Sequence, residues 1–278
     1  MYDFEGTRPD GGSDSPPLPR PPLVLTALEA ARLSVEYPTS VVLDTVLPRR
    51  DVGGGHPVLV LPGFYATDGL TGRLRSHLRK AGYAAHGWGL GRNFGLTDAV
   101  VDGLPARLDD LHERHAQRLS VVGWSFGGLL ARWLAHERPH AVRRVICLGS
   151  PWRPEGEVTR TTAMFERAAD KHGLSPRARE IVATLREPLD VPCTAIYSKT
   201  DGILNWQSCA LDEAVAGAAF TENVAVPSSH VGLVSNPLAL AVLADRLAQD
   251  PAAPEPFDWA RCLKRFALGG GTPARTAS

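Results

Sequence analysis

Leu119-Ser120-Val121-Val122-Gly123-Trp124-Ser125-Phe126-Gly127-Gly128-Leu129-Leu130-Ala131-Arg132-Trp133-Leu134-Ala135 is the stretch on which the reading of this chain turns. Its first four residues are a short apolar, β-branched run, as expected of a buried strand. Its last seven read as a helix. Between them stands Gly-x-Ser-x-Gly, Gly123 to Gly127. A serine on a sharp strand-to-helix turn needs glycine two residues before and after it, because side chains there would collide with neighbouring backbone. Gly128 allows a further close approach. The five-residue string is moderate evidence; a strand immediately before and a helix immediately after make it strong.

An isolated serine hydroxyl is a poor nucleophile at neutral pH, so it needs a base, and the base needs an orienting carboxylate. After a G-x-S-x-G turn of this kind these partners are expected downstream, in the order serine, acid, histidine. The apolar run Cys193 to Tyr197 leads into Ser198-Lys199-Thr200-Asp201-Gly202, which puts Asp201 at a strand's carboxyl end. Active sites of open α/β sheets lie at that edge. After the next strand pattern comes Pro227-Ser228-Ser229-His230-Val231-Gly232, in a loop before the last strong helix. Ser125, Asp201 and His230 are the candidate catalytic residues. Acyl transfer also needs two preorganised N–H donors for the oxyanion. The amide of Phe126 is one candidate, and Phe64 in Pro62-Gly63-Phe64-Tyr65 is the other. Tyr65, Trp124 and Trp152 are candidate walls of an apolar substrate pocket.

Outward from this centre the chain alternates strand and helix. Strands are expected at 57–62, 83–88, 119–123, 142–148, 192–197 and 220–226. Helices are expected at 68–81, 98–117, 125–137 and 236–249. Such alternation predicts a mostly parallel central sheet with helices on both faces. Leu23 to Tyr37 reads as a further helix, whereas Val41 to Leu47 fits no period clearly. Two helical patterns near 158–171 and 176–185 interrupt the alternation. They predict a small helical cap or lid insertion at 153–190, within a single domain over 23–266. Residues 1–22 and 267–278 read as a disordered segment and a flexible tail.

Lys plus Arg and Asp plus Glu each number 30, so the formal charge is zero. That argues against a nucleic-acid binder with a strong electrostatic footprint. The four cysteines are scattered, with no disulfide framework and no zinc spacing. His112 and His115 in His-Glu-Arg-His are three apart rather than the four of a zinc helix. Gly89 to Gly95 is one residue too long for a dinucleotide fingerprint. The N-terminus lacks the basic and apolar regions of a signal peptide, and no run approaches a membrane span. The expectation is a cytoplasmic protein without stable membrane insertion. Oligomeric state is not legible.

Val58 to Phe64, Gly123 to Gly128, Thr200-Asp201-Gly202 and Ser229-His230 together resemble the α/β-hydrolase fold superfamily, closest to its bacterial esterase and lipase-like members. The resemblance covers roughly residues 56–250. It implies an α/β-hydrolase fold and a Ser-Asp-His hydrolase acting on a small-molecule ester or acyl substrate with no metal or organic cofactor. Pro62-Gly63 departs from the His-Gly oxyanion pattern of many relatives, although a Pro-Gly version also occurs. The superfamily includes acyltransferases, perhydrolases and thioesterases, and the fold can serve a non-catalytic ligand-binding protein. Those remain the alternatives to ester hydrolysis.

Overall fold

Strand β1 (Pro57–Leu61) sits where the chain changes direction across the sheet. From it the chain steps outward to β2 (Ala84–Gly87), then returns past β1 to β3 (Leu119–Trp124), β4 (Val142–Leu148), β5 (Cys193–Tyr197) and β6 (Thr221–Ala225). The computed structural model gives the order β2-β1-β3-β4-β5-β6, parallel at every pairing. The reversal between β1 and β3 opens a crevice at their carboxyl ends, where α/β sheets bind ligands. The structure describes residues 20–46, 51–152, 162–185, 187–211 and 220–267. Expectations for 1–19, 153–161 and 268–278 lie outside them.

Every residue of β1, β3 and β5 is buried, which is why these strands read as unbroken apolar runs. Alternate side chains feed two cores. Leu59, Leu61, Val121, Val145 and Cys147 point to one face and pack with residues of α3 (Asp98–His115) and α4 (Phe126–Glu137). Val58, Val60, Val122, Ile146 and Leu148 point to the other and pack with residues of α2 (Gly72–Lys80). The period of two comes directly from strand geometry.

Helix α1 (Leu23–Val46) runs nine residues past the expected end, through Pro38 and the untyped Val41 stretch. Pro38 removes one N–H and β-branched residues weaken helix propensity, so local pattern argued for a stop. Tertiary contacts override it: Arg73 of α2 donates to the Ser40 hydroxyl at 2.8 Å and pairs with Asp44 at 2.7 Å.

Between β4 and β5 lie α5 (Thr162–His172) and α6 (Ala178–Thr184). They do not share one environment. Ile181 and Leu185 enter the core beneath α4, whereas the ring of Phe165 on α5 lies over Phe64. The short α7 (Trp206–Cys209) and a single 3₁₀ turn, Val231–Val234, had no sequence signature. Helices α8 (Pro237–Leu247) and α9 (Trp259–Ala267) end the described chain. All four cysteines are buried. Among the described residues no helix is long and apolar enough to cross a membrane.

Candidate active site

Ser125 stands between β3 and α4 with φ +53°, a left-handed conformation uncommon for a residue with a side chain. The glycines around it explain how the turn closes. A Cβ on Gly123 would lie 2.1 Å from the Gly127 carbonyl oxygen, and one on Gly127 would lie 2.5 Å from the Leu61 carbonyl oxygen. Such a turn throws its side chain out of the sheet edge, where Ser125 is half-buried.

His230 and Asp201 meet it from the loops after β6 and β5. His230 Nε2 lies 3.1 Å from Ser125 Oγ, and His230 Nδ1 lies 2.6 Å from Asp201 Oδ2. The second carboxylate oxygen of Asp201 accepts the backbone N–H groups of Ile203 and Leu204, each at 2.8 Å. That fixes the plane of the carboxylate and leaves its other oxygen for the imidazole. Both residues are 4% exposed, so solvent competes weakly for these bonds. The two loops are joined a few residues back, where Ser198 Oγ donates to the Ser228 carbonyl at 2.6 Å.

Phe64 sits on the loop after β1, beside the serine. Gly63 approaches the turn so closely that a Cβ there would lie 3.1 Å from Ser125 Cβ. This loop is held by Asn93, which is fully buried. Asn93 Nδ2 donates to the Pro62 carbonyl at 2.8 Å, its backbone N–H donates to Ala66, and its carbonyl accepts from Tyr65. Nothing in the spacing of the glycine-rich segment marked Asn93; its role comes from closing one loop against another.

Around the serine the surface is aromatic. Phe165 stacks on Phe64 with centroids 3.8 Å apart and lies 5.0 Å from Phe126. Tyr65 packs edge-on against Phe64 and Phe94, and Phe94 stacks on His172 of α5. Phe165, Phe94 and His172 escaped the sequence reading because the segments carrying them showed only local helical or loop character.

The structure places Trp124 and Trp152, the other candidate wall residues, against the loops that flank the site. Each is buried in a core and spends its indole N–H on a backbone carbonyl: Trp124 on His230 at 3.0 Å, Trp152 on Ala210 at 2.7 Å. An indole needs a partner for its N–H when buried, and these partners lie in the loops flanking the site. His112 and His115 diverge, one 3.0 Å from the Gln117 carbonyl and the other 2.9 Å from His86.

An open parallel sheet with a serine on a strained strand-to-helix turn, at the switch between β1 and β3, is the architecture of an α/β-hydrolase fold. The chain is similar to proteins of the α/β-hydrolase fold. A family model described as alpha/beta hydrolase fold matches residues 96–175, which span the serine turn. Among solved structures, lipase B of Aspergillus fumigatus is 22% identical, with TM-score 0.56, covering 78% of this chain. The chain spans only 59% of that lipase's length. MGS-MChE2, an α/β-hydrolase from the metagenome of lagoon sediments at Mar Chica, Morocco, is 15% identical with TM-score 0.51. It covers 69% of this chain and 90% of its own. The monoacylglycerol lipase of Paleococcus ferrophilus is 14% identical with TM-score 0.50, covering 72% of this chain and 96% of its own. At these identities the likeness is one of fold. No curated protein sequence matches the chain.

Proposed function

We propose that this protein hydrolyses carboxylic esters through an acyl-enzyme on Ser125. The observation that carries this reading is the unbroken relay from Ser125 Oγ to His230 to Asp201, at 3.1 and 2.6 Å. His230 Nε2 takes the hydroxyl proton as Ser125 Oγ bonds to the ester carbonyl carbon. Asp201 holds the imidazole in the required tautomer and stabilises its protonated form. The amides of Phe64 and Phe126 receive the oxyanion. When the tetrahedral intermediate collapses, His230 returns the proton to the departing alkoxide and the alcohol leaves. Water, deprotonated by the same nitrogen, then attacks the acyl-enzyme and releases the acid.

The aromatic cover of Phe64, Phe126 and Phe165 supports an apolar acyl group, and α5 is the part of the 153–190 insertion that covers the site. Lipases among the solved structures of like fold agree with this substrate class. The test is a p-nitrophenyl ester series of increasing acyl length, run on wild type and Ser125→Ala. Wild type is expected to turn over, and the variant to lose about 10⁴- to 10⁶-fold in kcat while remaining folded. Activity retained in Ser125→Ala would remove the serine from the mechanism. Adding an alcohol or peroxide acceptor separates hydrolysis from acyl transfer by the product formed.

A further inference from the structure

Helix α1 lies outside the alternating strand–helix plan, yet its inner face is polar and aimed at the two loops that carry Asp201 and His230. The Glu29 carboxylate is buried between them. One oxygen accepts the backbone N–H of Gly202 at 2.9 Å and that of His230 at 3.0 Å; the other accepts Val231 at 3.3 Å. A single side chain thereby joins the residue after the acid to the histidine itself. One turn earlier, Thr26 Oγ1 donates to the Gly202 carbonyl at 2.6 Å. One turn later, Arg32 donates to the carbonyl and hydroxyl of Thr200 at 2.5 and 2.8 Å. Another turn on, Glu36 accepts from the backbone and hydroxyl of Ser229 at 2.8 and 2.5 Å. Positions 26, 29, 32 and 36 fall on one helical face.

The loops show the reciprocal fit. A Cβ on Gly202 would lie 2.5 Å from the Leu25 carbonyl, and one on Gly232 would lie 1.6 Å from Glu36 Oε2. Both loops therefore place a residue without a side chain where α1 presses on them. Gly202 follows the acid directly, and Gly232 follows the histidine by two.

We propose that Glu29 is a positioning residue that sets the Asp201 loop against the His230 loop, with α1 as its carrier. This rests on the reading of Ser125, Asp201 and His230 given above. A relay of two hydrogen bonds tolerates little displacement, since about 1 Å of misplacement can cost on the order of 10²-fold in rate. Glu29 touches no reacting atom; its effect passes through His230.

The experiment measures two rates on the full chain: ester turnover, and labelling of Ser125 by a fluorophosphonate, which needs the same serine–histidine activation but no particular ester. The variants are Glu29→Ala, Glu29→Gln and Glu29→Asp, with Asp44→Asn as a control that loosens the far end of α1. Glu29→Ala is expected to lose about 10-fold or more in kcat and in labelling rate, with KM within about twofold of wild type. Glu29→Gln keeps an oxygen with the reach to serve Gly202 and His230, and stays near wild type. Glu29→Asp keeps the charge but is one methylene short, and falls between Ala and Gln. Asp44→Asn leaves both rates unchanged.

Wild-type rates in Glu29→Ala overturn the proposal. So does an aspartate variant faster than the glutamine one, because charge rather than reach would then matter; this ordering still decides if Glu29→Ala fails to fold. A wild-type chain that is labelled but inert to every ester overturns only the ester assignment, and the labelling ratios still judge Glu29. A wild-type serine that is never labelled overturns both.

Discussion

Helix α4 and helix α1 both serve the carboxyl edge of the sheet, but they bury opposite kinds of surface. Helix α4 turns Leu129, Leu130, Trp133 and Leu134 inward. Helix α1 buries only Glu29 and Ser40, and it leaves Val24, Leu28, Val35 and Val42 exposed. One is held by apolar area removed from water, the other by hydrogen bonds to loops and by ion pairs to α2. The first mode is strong and indifferent to geometry; the second is weaker and specifies geometry closely.

The contrast yields a ranked set of expectations. Leu130→Ala in α4 is expected to cost about 2–5 kcal/mol, measured as a shift in urea midpoint. A cost below about 1 kcal/mol would mean that α4 is not the rigid support of the serine turn.

Asp44→Asn in α1 is expected to cost about 1–2 kcal/mol, with activity retained. Burial pushes the Asp44 carboxyl up, but hydrogen bonds from His77 and Arg73 outweigh it and hold the group at about 2. A carboxyl depressed in the folded state contributes stability that is complete above its unfolded value near 4 and lost as pH falls toward 2. The gap between wild type and Asp44→Asn should therefore be present at pH 7 and shrink over that acid interval. A gap that stays constant with pH would show that charge at Asp44 is not what anchors α1.

Val35→Ser, on the outer face of α1, is expected to change stability by less than about 0.5 kcal/mol, since Val35 is 66% exposed. A loss above about 1 kcal/mol in thermal or chemical unfolding would show that something covers this face in solution, and would erase the contrast with α4.

The same contrast explains what could be read from residues alone. The serine turn was legible because strand, glycine bracket and helix are contiguous, and each has a steric reason. Asp201 and His230 were legible because each follows an apolar strand run, so their place on the sheet edge could be inferred before any contact was known. Helix α1 was half legible: its first turns show a pattern, but Pro38 and the polar inner face hide its length and its docking. Glu29, Glu36 and Asn93 act by accepting from or donating to backbone in distant loops, and that work has no spacing signature. The bonds of Trp124 and Trp152 were hidden for a related reason. An aromatic next to a candidate site suggests a wall, and only the indole N–H partner reveals a brace.

The bonds from α1 also carry a clock. Glu29 and His230 are 201 positions apart in the chain. At a synthesis rate of about 5–20 residues per second, the helix emerges roughly 10–40 s before the backbone amides it will hold. The serine turn, by contrast, is made from adjacent residues and can take shape as soon as its neighbouring strands exist. During synthesis, therefore, α1 cannot close onto the loops after β5 and β6 until most of the chain has been made.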